Sequence, residues 1–169
     1  FEPVRRQLEA LLRKGPGGAA VCVYHRGRCV VDLWGGVRDE SGAPWLRDTM
    51  CVSYSTTKGV ITTALHVLAD RGLLDYDAPV ARYWPEFAQA GKGAITVRDV
   101  LTHRAGLFNI RDLIDDARRL LDWDHMVGAL AAAAPSPVPP GATAYQALTY
   151  GFLVGELIRR ISGKPVPAF

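Results

Sequence analysis

The sequence has no apolar run approaching a membrane span, no cysteine cluster at metal spacing and no block of like charge. Each absence removes a class of function. A membrane-crossing helix needs about 20 consecutive apolar residues, so no membrane span is expected. The three cysteines, Cys22, Cys29 and Cys51, are odd in number and show no paired short spacing. That argues against a disulfide framework or a zinc site and leaves buried free thiols as the expectation. His25, His66 and His125 have no neighbouring partners at ligand spacing, and Gly91-Lys92-Gly93 lacks the length and preceding strand of a phosphate-binding loop. Neither a metal nor an organic cofactor is therefore expected.

The net charge is only +3. Arg104, Arg111, Arg118 and Arg119 are interrupted by Asp112, Asp115 and Asp116, a pattern of a solvated face rather than a nucleic-acid patch. No nucleic-acid partner is expected. No signal peptide opens the chain, which begins at Phe1 rather than Met. The expectation from these absences is a cytoplasmic location, and nothing in the residues speaks to oligomeric state.

What is present is an ordinary globular composition over 169 residues, 49% hydrophobic and 22% charged, enough for one domain with a core. Val4, Leu8, Leu11 and Leu12 form a helical stripe over Pro3 to Arg13. The runs 19–24 and 28–34 are apolar and β-branched around Arg26-Gly27, which predicts a β-hairpin with both faces covered. In that register Tyr24 stands opposite Cys29 and Cys22 opposite Val31. From Ser53 to Arg71, apolar residues recur at helical spacing and Gly72 follows as a stop. Further helices are predicted over 97–102, opened by Thr96, and over 113–121, 123–134 and 149–162. The last has Thr149 as N-cap and Gly163 as stop.

One hairpin followed only by helices reads as α+β, with residues 1–48 forming the helix and hairpin and residues 49–169 the helical part. A lone two-stranded hairpin is marginal in water. The expectation is a fragment of a larger fold whose remaining sheet strands lie outside this stretch.

The chemistry centres on Ser55-Thr56-Thr57-Lys58, an S-x-x-K at the start of a predicted helix. Residues three apart share a helix face, so the amine of Lys58 can reach the hydroxyl of Ser55. The helix N-terminus supplies unpaired N–H groups suited to a developing oxyanion. A serine hydroxyl is a poor nucleophile until a neighbour takes its proton, a task for Lys58 if apolar groups such as Val60 and Ile61 desolvate it. By average usage such a tetrapeptide arises about once in a chain of this length, so alone it decides nothing.

Three longer stretches carry more: SYSTTKGVITTALHVLADRGLLDYDAPVARYWPEF, ITVRDVLTHRAGL and PGATAYQALTYGFLVGELIRRISGKP. In this order they resemble the serine β-lactamase-related family of class C β-lactamases, family VIII esterases and D-alanyl-D-alanine carboxypeptidases. The likeness is greatest to the bacterial esterase-like members. It implies a β-lactamase/transpeptidase-like fold, an antiparallel sheet flanked by helices plus a helical subdomain. It also implies Ser55 as the acylated serine, Lys58 as its lysine partner and Tyr145 as the tyrosine of a Y-x-N element. Phenol and amine would then titrate as a coupled pair. In the same resemblance the histidine of LTHRAGL, His103, is structural. Gln146 and Ala147 occupy the substrate-binding positions after the tyrosine.

Two departures qualify the likeness. Ala147 stands where penicillin-processing members carry Asn, and losing a polar partner for a substrate amide argues for esters over β-lactams or peptides. Gln146 departs from the Tyr-His-Ala form of the esterase-like members. The family's Lys/His-Thr-Gly-like element, whose strand supplies the second oxyanion donor, is absent from these residues. The expected activity is hydrolysis of a small-molecule carboxylic ester through an acyl-serine. The alternatives are a β-lactamase, a D-alanyl-D-alanine carboxypeptidase, or a non-catalytic binding module of the same fold. Losing one oxyanion donor typically costs about 10²–10³ in rate, and residues 1–169 alone are expected to be nearly inactive. Measurable cleavage of p-nitrophenyl butyrate by that stretch would contradict the expectation.

Overall fold

Helix α1 (Glu2–Leu12) starts at a proline in its first turn, where a missing N–H costs nothing, and runs along the predicted stripe. Strands β1 (Gly18–His25) and β2 (Arg28–Gly36) follow as an antiparallel pair. Arg26 and Gly27 both have positive φ, 49° and 76°, as a two-residue hairpin turn with the twist of its strands requires. Tyr24 pairs with Cys29 as expected, but Cys22 pairs with Asp32 rather than Val31. Val30 is an extra residue on β2, and this bulge moves the register by one beyond it. Gly36, at φ 89°, is required where it stands, because a Cβ would collide with the Gly17 carbonyl.

Two expectations for this hairpin are corrected. Cys22 and Cys29 are exposed rather than buried, with their sulfurs 3.9 Å apart, and Cys51 is exposed as well. The strands are not covered on both faces either, since Val31 is the single buried residue in them. The physical reason is that α1 is the one helix this part of the chain can lay on the hairpin. The computed structural model describes all 169 residues, Phe1–Phe169. It divides them into two units, Phe1–Val52 and Ser53–Phe169, rather than at the expected boundary after Asp48.

The second unit is helical: α2 (Thr56–Asp70), α3 (Val97–Leu101), α4 (Trp123–Ala132) and α5 (Thr149–Ser162), joined by 3-10 turns. Its core draws Leu65 and Leu68 from α2, Val97 and Val100 from α3, Leu130 from α4, and Leu153 and Leu157 from α5. Trp84 and Phe87, from the 3-10 region before α3, close it. Each of these side chains, taken fully from water, contributes about 1.5–3 kcal/mol before entropy is charged against it. No helix is long and apolar enough to cross a membrane.

Local signals explain most helix ends. Thr96 and Asp99 form a reciprocal capping box at α3, and Asp122 accepts the His125 N–H at α4. Gly163 ends α5 in the left-handed conformation. The predicted helix over 113–121 is absent; 3-10 turns at Ile110–Asp112 and Ala117–Leu121 stand nearby. Asp116 is extended there, and its carboxylate takes the Arg118 N–H, a local bond that competes with helix continuation. Thr149 does not cap α5; its hydroxyl donates to the Leu107 carbonyl in the interior.

Lys92, dismissed as a phosphate binder, is a buried brace. Its ammonium donates to the carbonyls of Gln89 at 2.9 Å, Ala131 at 3.0 Å and Ala133, and burial holds its pKa below the ordinary lysine value. Lys92→Met would leave those carbonyls without a donor. A destabilisation of about 2–4 kcal/mol in chemical denaturation is expected, and a loss well under 1 kcal/mol would refute the brace.

Candidate active site

Tyr54 precedes α2 with φ 45°, a left-handed turn that swings the chain abruptly into the helix. Ser55 follows at the N-cap position. The amides of Thr56, Thr57 and Lys58 donate to the carbonyls of Ser53, Tyr54 and Ser55. The Ser55 amide has no acceptor, which leaves one N–H at the helix entrance free for a ligand oxygen.

One turn on, the Lys58 ammonium lies 3.1 Å from the Ser55 hydroxyl and donates to the Ala147 carbonyl at 2.7 Å. It stands 4.9 Å from the centroid of the Tyr145 ring. The Ser55 hydroxyl, then the Lys58 ammonium, holds the Tyr145 phenol below its ordinary pKa. A developing phenolate is therefore favoured beside the amine. Ser55, Lys58 and Tyr145, predicted from separate stretches, thus come together. Ser55 and Lys58 border a cleft of about 330 Å³ lined also by Tyr54, Thr57, Ile61, Ala147, Leu148 and Gly151, and Tyr145 stands beside it, next to Lys58. Val60 does not wall the amine, being 69% exposed.

The two substrate-binding expectations separate. Ala147 lines the cleft, and its carbonyl holds Lys58. Gln146 does not: its side chain is buried, with neither amide atom partnered, and it is absent from the lining. The cause is its backbone, whose N–H donates to His103 Nδ1 at 3.1 Å and turns the side chain inward.

Sequence reasoning missed two supports. Tyr150 and Thr62 share a 2.6 Å hydrogen bond between α5 and α2, fixing the helix that begins at Ser55 against the segment after Tyr145. Burial raises the Tyr150 pKa, so the phenol stays protonated. The imidazole of His103 packs 4.9 Å from the Tyr145 ring and 5.0 Å from that of Tyr150. These partners lie too far apart in the chain for any local pattern to join them. Asp75 and Asp77 are committed locally rather than paired for acid/base work: Asp75 accepts the Asp77 N–H in a turn, and Asp77 pairs with Arg98. No group of three or more possible metal ligands gathers anywhere.

The family model "Beta-lactamase" matches residues 4–169. The chain belongs to this family. It is 48% identical over 149 residues to the Esterase/beta-lactamase LipL of Mycobacterium tuberculosis, covering 88% of this chain and 34% of that protein. It is 31% identical over 179 residues to the Esterase EstB of Burkholderia gladioli, covering 95% of this chain and 45% of that one. The crystal structure of a family VIII carboxylesterase superposes with a TM-score of 0.88 at 43% identity, over 98% of this chain and 46% of the other. A penicillin-binding protein homolog from Caulobacter crescentus superposes at 0.91 with 41% identity, over 98% and 45%. The fold is therefore β-lactamase/transpeptidase-like, and the chain spans between a third and a half of the length of these relatives.

Burial, then the Lys58 ammonium, holds the His103 imidazole below its ordinary pKa of 6.5, and Nδ1 accepts a bond only when unprotonated. The unfolded chain therefore takes up this proton at a higher pH than the folded one. Stability should fall as pH drops from about 6.5 through the folded value, because the unfolded state binds more protons in that window. Denaturation midpoints at about pH 7 and pH 5 should differ more for the parent than for His103→Asn, which cannot titrate there. Equal differences would exclude His103 as their source.

Proposed function

We propose that this protein hydrolyses small carboxylic esters through an acyl-serine intermediate. Ser55 Oγ attacks the ester carbonyl, and its proton passes to the Lys58–Tyr145 pair. That pair returns a proton to the departing alkoxide, and water then cleaves the acyl-serine to release the acid. The unpaired Ser55 N–H supplies one donor to the oxyanion. The observation that carries the reading is the position of the Lys58 ammonium, in hydrogen-bond reach of Ser55 Oγ and anchored from behind by the Ala147 carbonyl.

Esters are preferred over β-lactams because Ala147 brings a methyl, and no side-chain amide, to the cleft. A substrate amide buried against it would lose a hydrogen-bond partner. The names of EstB and the family VIII carboxylesterase support the same choice, whereas that of LipL, an esterase/beta-lactamase, is compatible with both. A β-lactamase or D-alanyl-D-alanine carboxypeptidase activity is the second reading, favoured by the likeness to a penicillin-binding protein homolog.

A fluorophosphonate probe should label the full-length protein and fail to label Ser55→Ala. Turnover of p-nitrophenyl butyrate should fall at least about 10³-fold in that variant, as expected when a nucleophile is removed. Hydrolysis of nitrocefin faster than of the ester would transfer the assignment to the β-lactamases. A folded protein that is neither labelled nor active would be a binding module.

A further inference from the structure

We propose that His103 is the positioning residue that holds the Tyr145 phenol in place beside Ser55 and Lys58. The proposal rests on the reading of these three as the reacting groups. Tyr145 needs such a residue because it is 55% exposed, so its own burial does not fix it. What fixes it is the backbone on either side. The Ala144 N–H donates to the His103 carbonyl at 2.8 Å, and the Gln146 N–H donates to His103 Nδ1 at 3.1 Å. A single residue therefore anchors the chain immediately before and immediately after the tyrosine.

The ring adds a third contact and a connection to the nucleophile. It lies 4.9 Å from the Tyr145 ring and 5.0 Å from the Tyr150 ring, and the Tyr150 hydroxyl is bonded to Thr62 of α2. Ser55 and Lys58 sit at the start of that same helix. The phenol is thus referenced, through His103 and Tyr150, to the element that carries its reacting partners. Displacements of an ångström between such groups cost large factors in rate.

The backbone of His103 points the same way. It stands just past the end of α3 with φ 59°, donating its N–H to the Val100 carbonyl. Glycine or asparagine takes this left-handed conformation with less strain. A histidine kept there carries a backbone cost with no return to α3, whereas its ring and Nδ1 both serve the Tyr145 segment.

That conformation also supplies a clean test on the full-length protein with p-nitrophenyl butyrate. His103→Gly relieves the backbone, so folding should be retained, but it deletes the ring and the acceptor. The expected result is a fall in kcat of about 30–100-fold, as for a misplaced catalytic group. KM should stay within about twofold, because binding of the ground state is untouched. His103→Asn places Oδ1 on the same γ carbon that bears Nδ1 in histidine, and it should recover most of kcat. The alkaline limb of the pH–rate profile should move in His103→Gly and return in His103→Asn. A His103→Gly variant within threefold of the parent kcat, or a His103→Asn variant no better than His103→Gly, would overturn the assignment. Ser55→Ala run alongside separates the two levels. Activity surviving in Ser55→Ala overturns the reading on which the proposal rests. Activity lost there but kept in His103→Gly overturns the positioning role alone.

Discussion

The Lys58 ammonium joins two stretches 89 residues apart, through the Ser55 hydroxyl on its own helix and the Ala147 carbonyl beyond Tyr145. A lysine on a free helix face carries its charge on a flexible four-carbon stem and gains little from any one neighbour. Here the second bond restricts that freedom. A carbonyl accepts but cannot donate, so it holds one N–H of the amine and orients the group toward the serine oxygen. The Thr62–Tyr150 hydrogen bond joins α2 to the helix that follows residues 145–147, close to where this bond forms.

The spacing of α2 and α5 is maintained by the interior rather than by the cleft walls. Leu65 and Leu68 of α2 and Leu153 and Leu157 of α5 share one core, and the Thr62–Tyr150 bond pins the two helices near their reactive ends. Buried charges then fix the outer elements. Glu156 on α5 receives Arg159, Arg160 and the Trp123 indole N–H, and Arg160 reaches on to Glu86. Lys92 ties its segment to the end of α4. Buried carboxylates and ammonium groups are costly unless fully bonded, so these networks specify one arrangement more than they add stability.

Legibility in the sequence followed the range of the interaction. The S-x-x-K pair, Thr96 as the residue opening α3, the Arg26-Gly27 turn and the Gly163 stop each depend on residues within one turn of each other, and each was readable. The resemblance carried the reading from Ser55 to Tyr145, across a gap no local rule bridges. The failures have the opposite character. A bulge at Val30 is set by how a strand packs, not by its composition. Thr149 is a good cap in isolation, but a buried Leu107 carbonyl needed its hydroxyl more. Gln146 was expected in the cleft from the resemblance, and a histidine 43 residues earlier turns it inward.

The burial of Gln146 changes what can determine selectivity here. With its amide turned inside, the wall after Tyr145 presents the Ala147 methyl, backed by Leu148, Ile61 and Gly151. The backbone carbonyl of Ala147, the polar group left at that position, is already committed to Lys58. In the proposed reading, an incoming substrate would meet polar chemistry at Ser55 and Lys58, with Tyr145 next to the amine, and apolar surface beside them. A pocket of that kind gains from each apolar group it buries and loses for each amide it strips of water. Under the proposed ester reading, discrimination against amide-bearing substrates would need no steric block, because the absence of one side-chain partner would suffice.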